Sequence, residues 1–376
     1  MDFTLSTEQK ALADSVARFC ERECSFETRK SRLANSDGFS RDVWRAIAEL
    51  GWVGAALSED DGGFGGGPID AAIIMEGLGH GLVLEPFLST AILSLQTLAH
   101  APLGAVRTQV MQDIIAGKLL VALAHGEPVA YGADDYVESV AVRDGADWKL
   151  NGHKSLVLGA PSADLLLVTA RADAGVGLFL VDPAARHVRI HAYRTLDGGR
   201  VGDVWLDGVI AQDVIAAPGT GLEAVLRGMD HALVGVCAEA VGAMTAALTI
   251  TRDYVKLRRQ FGQALSELQA VQHRMADMLV ELELSRSILY QGLAGLTYAS
   301  GQRTRALCAM KAITSSAAMF VGRNAVQLHG AIGMTEDCAI GHYYRRLFVI
   351  AHLFGNESMH LDRLARAHAP FWPQTP

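Results

Sequence analysis

The residues best suited to chemistry are a set of cationic and amide side chains in the C-terminal third. Arg258 stands where a long helical pattern gives way to Gly262, and Arg252, Lys256 and Arg259 gather beside it. A guanidinium is planar, permanently charged and able to bond two phosphate oxygens at once, which suits a diphosphate. A helix-end cation is also favoured by the helix macrodipole alone, without any ligand. Phe261 beside it could pack against a planar cofactor or fill a bundle core. Gln327 offers a donor and an acceptor at the mouth of a turn where Gly330 lets backbone approach a ligand. The same amide could instead cap a helix.

Candidates for proton transfer are scattered. Glu357 is a lone helix-start carboxylate, a position the macrodipole favours without any function. Asp230 opens a helical pattern and reads as its N-cap, while Glu127 follows a strand pattern and reads as structural. His231, His329, His342 and His352 lack metal-ligand spacing, so packing or interface roles are expected for them. Cys20, Cys24, Cys237, Cys308 and Cys338 form no C-x-x-C pair and are odd in number, which points to neither a zinc site nor a disulfide framework. The glycine-rich stretch 60–68 has neither a Lys-Ser/Thr ending nor a G-x-G-x-x-G, so a tight surface loop is expected there.

Three blocks of elements position these groups. Ser6 and Gln9 have capping-box spacing ahead of Leu12, Val16 and Phe19. Ser40 caps a second helix whose apolar face is Val43, Trp44, Ile47 and Leu50, and Gly51 ends it. Helical patterns over 69–79 and 90–116 complete an all-helical domain over 1–118. Seven short β-rich runs follow, at 120–124, 139–143, 148–158, 165–170, 177–181, 188–193 and 201–206, with no helix between them. That spacing predicts an antiparallel barrel or sandwich over 119–225 and disfavours a βαβ fold. Helical periodicity returns over 226–376 with apolar stripes such as Leu233, Cys237, Ala240, Met244 and Ala247, further long helices are expected over about 303–328 and 343–367, and four long helices make a bundle. The fold class is mostly α with a β middle domain.

At 376 residues, half of them hydrophobic and 20% charged, the chain is a multidomain globular protein and not a disordered one. A net charge of −8 argues against a nucleic-acid surface, so the local Arg and Lys cluster suits a nucleotide phosphate. Residues 1–10 carry no signal pattern and no apolar run reaches the roughly 18 residues of a bilayer crossing, so a cytoplasmic protein without a membrane partner is expected.

Two local motifs narrow the reading. Arg258-Arg259-Gln260-Phe261-Gly262 is followed by Gln269-Ala270-Val271-Gln272 and Ala276-Asp277-Met278; Gln327-Leu328-His329-Gly330-Ala331-Ile332-Gly333-Met334-Thr335 is followed by Tyr343-Tyr344-Arg345. In this order they resemble the two C-terminal signatures of acyl-CoA dehydrogenases. Glu127-Pro128 and Asn151-Gly152-His153-Lys154 are weaker echoes, and the resemblance covers essentially the whole chain. It implies FAD as cofactor, an acyl-CoA thioester as substrate, and an electron-transfer flavoprotein or another acceptor as electron partner. It further implies that Arg258 binds the FAD pyrophosphate, that Phe261, Gln327 and Gly330 belong to the same site, and that these motifs reach across a subunit interface to the neighbour's FAD.

The chain departs from the family where the family does its chemistry. The carboxylate that removes the substrate α-proton usually stands in a Tyr-Glu-Gly-Thr segment, and here the aligned run is Leu353-Phe354-Gly355-Asn356. The alternative base position, in a Glu-Arg pair at the start of the bundle, holds Ala232-Leu233. Neither Phe354 nor Ala232 can accept a proton. Flavin-ring contacts are altered too: Gly126 replaces a threonine, Tyr131-Gly132 replaces Gly-Ser, and Leu156 and Leu158 stand where an aromatic and a hydroxyl are expected. The expectation is a non-catalytic subunit that completes the FAD site of a catalytic acyl-CoA dehydrogenase partner in a hetero-oligomer. Its nearest resemblance is to the small subunit of pimeloyl-CoA-type dehydrogenases. The alternatives are a complete homomeric enzyme using Glu357 as base, and a binding or scaffold protein on the same fold.

Overall fold

In a computed structural model, residues 4–129 and 133–367 are described. The chain divides into two compact units, one of Met1–Arg29, Ala72–Val83 and Leu233–Pro376, the other of Lys30–Ala71 and Leu84–Ala232. Eleven α-helices are present among the described residues: α1 Thr7–Glu23, α2 Phe26–Ala34, α3 Arg41–Glu49, α4 Pro68–His80, α5 Leu95–Ala99, α6 Ala105–Ile115, α7 Gly221–Leu257, α8 Gln269–Gly295, α9 Ser300–His329, α10 Ala339–His352 and α11 Glu357–Ala367. The strands are β1 Val121–Ala124, β2 Val140–Asp144, β3 Asp147–Leu158, β4 Leu165–Ala172, β5 Gly175–Val181, β6 Val188–Arg194, β7 Arg200–Ile210 and β8 Asp213–Ala216, with a small pair, β9 Arg259–Gln260 and β10 Gln263–Ala264.

The unit of residues 30–71 and 84–232 is built on one sheet of eight strands, in the order β6-β7-β3-β2-β4-β5-β8 with β1 beside β4. Most pairings are antiparallel, as the strand spacing predicts, but β1 and β2 both run parallel to β4. Ala122, Leu150, Leu166, Val168, Phe179, Val204, Leu206 and Val209 form its core. Leu166 to Ala170 of β4 are all buried, as expected of a strand covered on both faces. Ser40 does cap α3 and Val43, Trp44 and Ile47 are buried, but Leu50 is exposed. The single helix expected over 90–116 is instead a π-helical segment, Phe87–Ser94, followed by α5 and, beyond Pro102, by α6. Thr90 and Ser94 both donate to the Val121 carbonyl of β1, at 3.1 and 2.9 Å, which ties the wide turns to the sheet.

The other unit is helical. Ser6 and Gln9 form the expected capping box of α1, while α2 was not legible in the periodicity. The bundle helix α7 starts at Gly221, so Asp230 is not its N-cap; it lies inside the helix, 3.6 Å from Arg227. The helix is also long and apolar enough to cross a membrane by length and composition, contrary to expectation, yet 78% of its apolar window is buried inside the protein. The helix expected over 343–367 is broken in two. Tyr343 and the end of α10 are separated from α11 by residues 353–356, where Phe354 and Gly355 have φ of 56° and 97°.

Candidate functional site

In the sheet unit, the motif residues Glu127 and Lys154 meet in a buried polar network. Lys154 is fully buried, and its Nζ donates to Glu127 Oε1 at 2.6 Å and to Thr169 Oγ1 at 3.0 Å. The Glu127 carboxylate also accepts from the Glu138 and Ser139 N–H groups and from Ser139 Oγ, at 2.6, 3.0 and 2.7 Å. Gly152 makes room for this, since a Cβ there would collide with the Ser139 side chain. His125 completes the network through Thr169 Oγ1 and the Asp134 carbonyl. Burial pushes the Lys154 ammonium down to about 8 and, helped by Lys154, the His125 imidazole down to about 4. Burial raises the Glu127 carboxyl, but its cation and hydrogen bonds prevail and hold it below its ordinary range. Both carboxylate oxygens of Glu127 are engaged by the Glu138 and Ser139 donors and by Lys154, which is a structural role.

The residues that should face a flavin ring are of two kinds. Tyr131-Gly132 lie outside the described residues. Leu156 has a left-handed φ of 53° at an irregularity of the β3–β7 pairing, and its N–H donates to Asp203 Oδ1 at 3.0 Å. Asp203 also accepts from the Tyr193 hydroxyl at 2.8 Å. A bulge aims a side chain out of the ladder, and Leu156 is 49% exposed. The side chain that this irregularity presents is aliphatic.

In the helical unit, α7 ends in the β9–β10 hairpin. Gln260 pairs with Gln263, leaving Phe261 and Gly262 as a two-residue tip with φ of 53° and 80°. A two-residue hairpin tip with both φ positive matches the right-handed twist of its strands. Phe261 is 88% exposed, so it is no bundle-core aromatic. Arg258 is anchored by its backbone, donating its N–H to the Tyr254 carbonyl at 2.8 Å and accepting from Leu265 N–H at 2.9 Å. Its guanidinium is exposed and has no partner among the described residues.

At the end of α9, Gly330 has φ 67° and donates its N–H to the Gln327 carbonyl. The backbone of Gln327 thus takes part in the cap while its side-chain amide, exposed, has no partner among the described residues. Tyr254 and His329 bring the two motifs together. Their rings stack at 4.3 Å, and the Tyr254 hydroxyl donates to the His329 carbonyl at 3.2 Å. His329 is buried against Ala325 O at 2.8 Å, and burial keeps its imidazole below the ordinary histidine range. Sequence reasoning missed this link; its signal is the placement of Tyr254 one turn before Arg258 and of His329 beside Gly330. An unpartnered guanidinium, an unpartnered amide and a left-handed glycine at one end of the bundle fit a diphosphate-bearing cofactor.

Neither of the two positions expected to hold a base carries a proton acceptor. Ala232 is buried within α7, and Phe354 is half-buried in the 353–356 turn. Glu357 begins α11, is exposed, and lines an open groove of about 420 Å³ with Leu284, Ile288, Ile313 and Leu361. Among the described residues no group of three His, Cys, Asp or Glu could hold a metal ion. His352 bonds a carbonyl of its own helix, and His342 bonds Glu336 O.

Family models for the N-terminal, middle and C-terminal domains of acyl-CoA dehydrogenases match residues 6–118, 122–209 and 219–369. The chain is 27% identical over 365 residues to the short-chain specific acyl-CoA dehydrogenase of Clostridium acetobutylicum, covering 90% of this chain and 91% of that protein. A variant of the Tcur3481–Tcur3483 steroid ACAD superimposes with TM-score 0.88 at 27% identity, covering 98% and 99% of the two chains. The ChsE4–ChsE5 complex of Mycobacterium tuberculosis has TM-score 0.90 at 23% identity, with full coverage of both chains, a likeness of fold.

Proposed function

The chain belongs to the acyl-CoA dehydrogenase family, FAD-dependent oxidoreductases acting on CH–CH bonds, and from that premise we propose that it is the non-catalytic partner that completes the FAD site of a catalytic subunit. One contrast carries the reading: Phe354 and Ala232 leave both base positions without a proton acceptor, while Arg258 and Gln327 present exposed, unpartnered groups at one end of the bundle. A positioned general base contributes about 10² to 10⁴-fold, so its loss is not compensated by binding alone. FAD, when bound, supplies the hydride acceptor. This chain's part is to hold phosphate charge with Arg258, to bond the cofactor with the Gln327 amide, and to keep both in register through Tyr254 and His329. The exposed Leu156 adds support, because an aliphatic side chain gives a flavin ring no aromatic cover. Heteromeric relatives of the same fold, such as the ChsE4–ChsE5 complex, are compatible with the reading.

The test is to purify the chain alone and together with a co-expressed catalytic homologue, measuring flavin absorbance and acyl-CoA-dependent reduction of an acceptor dye. The reading expects a nearly colourless, inactive chain alone and a yellow, active complex. A yellow chain that turns over by itself refutes it.

A further inference from the structure

The broken helix at residues 353–356 is held from the bundle core by two polar side chains with no place in the reading so far. Lys311 on α9 is 1% exposed, and no carboxylate lies within ion-pair distance of it among the described residues. Its Nζ donates instead to Ser315 Oγ at 2.8 Å and to the Ile350 and Ala351 carbonyls at 3.0 and 3.2 Å. Those are among the last carbonyls of α10, which have no helical partner and carry the negative end of the helix dipole. One turn back on α9, Cys308 lies 3.5 Å from His360 Nδ1, and the other ring nitrogen of His360 donates to the Phe354 carbonyl at 2.8 Å. Asn356 Oδ1 accepts from Met359 N–H and starts α11. A bulky L-residue at φ 56° is a costly conformation, of about 1–2 kcal/mol, and persists only where its surroundings impose it.

We propose that Lys311 and His360 are positioning residues, which fix the 353–356 turn and hence the Phe354 side chain from inside the bundle. Lys311 fixes where α10 ends; His360 fixes the carbonyl of the left-handed residue that follows. The inference rests on the reading that residue 354 stands at the family's proton-abstracting position, and it gives that position a rigid apolar occupant. The ionisable group that acts on Lys311 is the Cys237 thiol of α7; Cys308 of α9 and His360 of α11 meet each other one turn back, and α10 contributes carbonyls. Burial pushes the Lys311 ammonium down to about 8, against a smaller opposing effect of Cys237. The α10 cap therefore loses its charge a little above neutral pH.

The experiment uses the full chain without flavin, acyl-CoA or partner, so its outcome is independent of the partner-subunit test. Phe354→Trp serves as reporter, read as a difference emission spectrum against the parent between pH 6.5 and 9.5. A transition with a midpoint near 8 is expected, and it should vanish when Lys311→Met is added. Hydrogen exchange over 350–358, corrected for intrinsic rates, should be about ten-fold to a hundred-fold faster in Lys311→Met, from loss of charge-assisted bonds. His360→Leu should loosen the same segment, and His360→Gln, which keeps an N–H at the Nε2 position, should restore it. Where Lys311→Met fails to fold, parental exchange over 350–358 in His360→Leu overturns the proposal. So does parental exchange in folded Lys311→Met and His360→Leu.

Discussion

Arg258→Ala is the most direct test of action on a neighbour's cofactor. The guanidinium is exposed and has no partner among the described residues, so its removal orphans no buried group and breaks no internal bond. Surface changes of that kind stay within about 0.5 kcal/mol of parental stability. The hairpin should persist as well, since Arg258 is anchored through its own N–H and C=O, and alanine keeps both. Any loss of flavin is then a direct effect. A charge-assisted bond to a phosphate contributes about 1.5–3 kcal/mol, which converts to about ten-fold to a hundred-fold weaker FAD binding. The assay is flavin-to-protein ratio and FAD dissociation constant of the co-purified complex, with the substitution made in this chain alone. Lys10→Ala, an exposed cation of α1 outside this cluster, serves as the control with an unchanged constant. Full flavin and full activity in a complex carrying both Arg258→Ala and Gln327→Ala would refute the reasoning and favour a scaffold role.

The isolated chain should show no appreciable acyl-CoA dehydrogenation, and Glu357→Gln should change nothing; robust turnover abolished by that substitution would establish a homomeric enzyme. Phe354→Glu should not create activity, because Leu156 and Leu158 still leave a flavin ring uncovered, and the new carboxyl, half-buried, should titrate above the ordinary range. A flavin-bound, active Phe354→Glu chain would overturn that account. His125, pushed down to about 4 by burial, makes stability depend on acid. Its folded value lies below the unfolded value of about 6.5, so its contribution is complete above pH 6.5 and is lost as pH falls through 4. Urea midpoints between pH 7 and 4 should fall in the parent and fall less in His125→Gln.

The order of helices, strands and helices was legible in the sequence because amphipathic periodicity is local: the capping box at Ser6, the cap at Ser40 and the seven strand runs each depend on neighbours a few residues away. That Phe354 and Ala232 cannot accept a proton was equally legible, since phenylalanine and alanine lack the chemistry in any conformation. What the sequence could not decide were the pairings between residues far apart. Glu127 and Lys154 stand 27 residues apart in the chain and become an ion pair only when β3 lies beside the end of β1. Tyr254 and His329, 75 residues apart, join the two motifs through one stack and one hydrogen bond. Helix breaks were hidden for a related reason. The apolar pattern runs on through Leu353 and Phe354, and the turn that follows is bonded from other helices, by Lys311 at the Ile350 carbonyl and by His360 at the Phe354 carbonyl. Phe261 shows the same limit in reverse, for its type suits a core and only the hairpin geometry sets it in solvent. Residue types decide which groups a chain can offer; whether a group is buried, paired or free depends on the free energy of contacts that exist only once distant segments have packed.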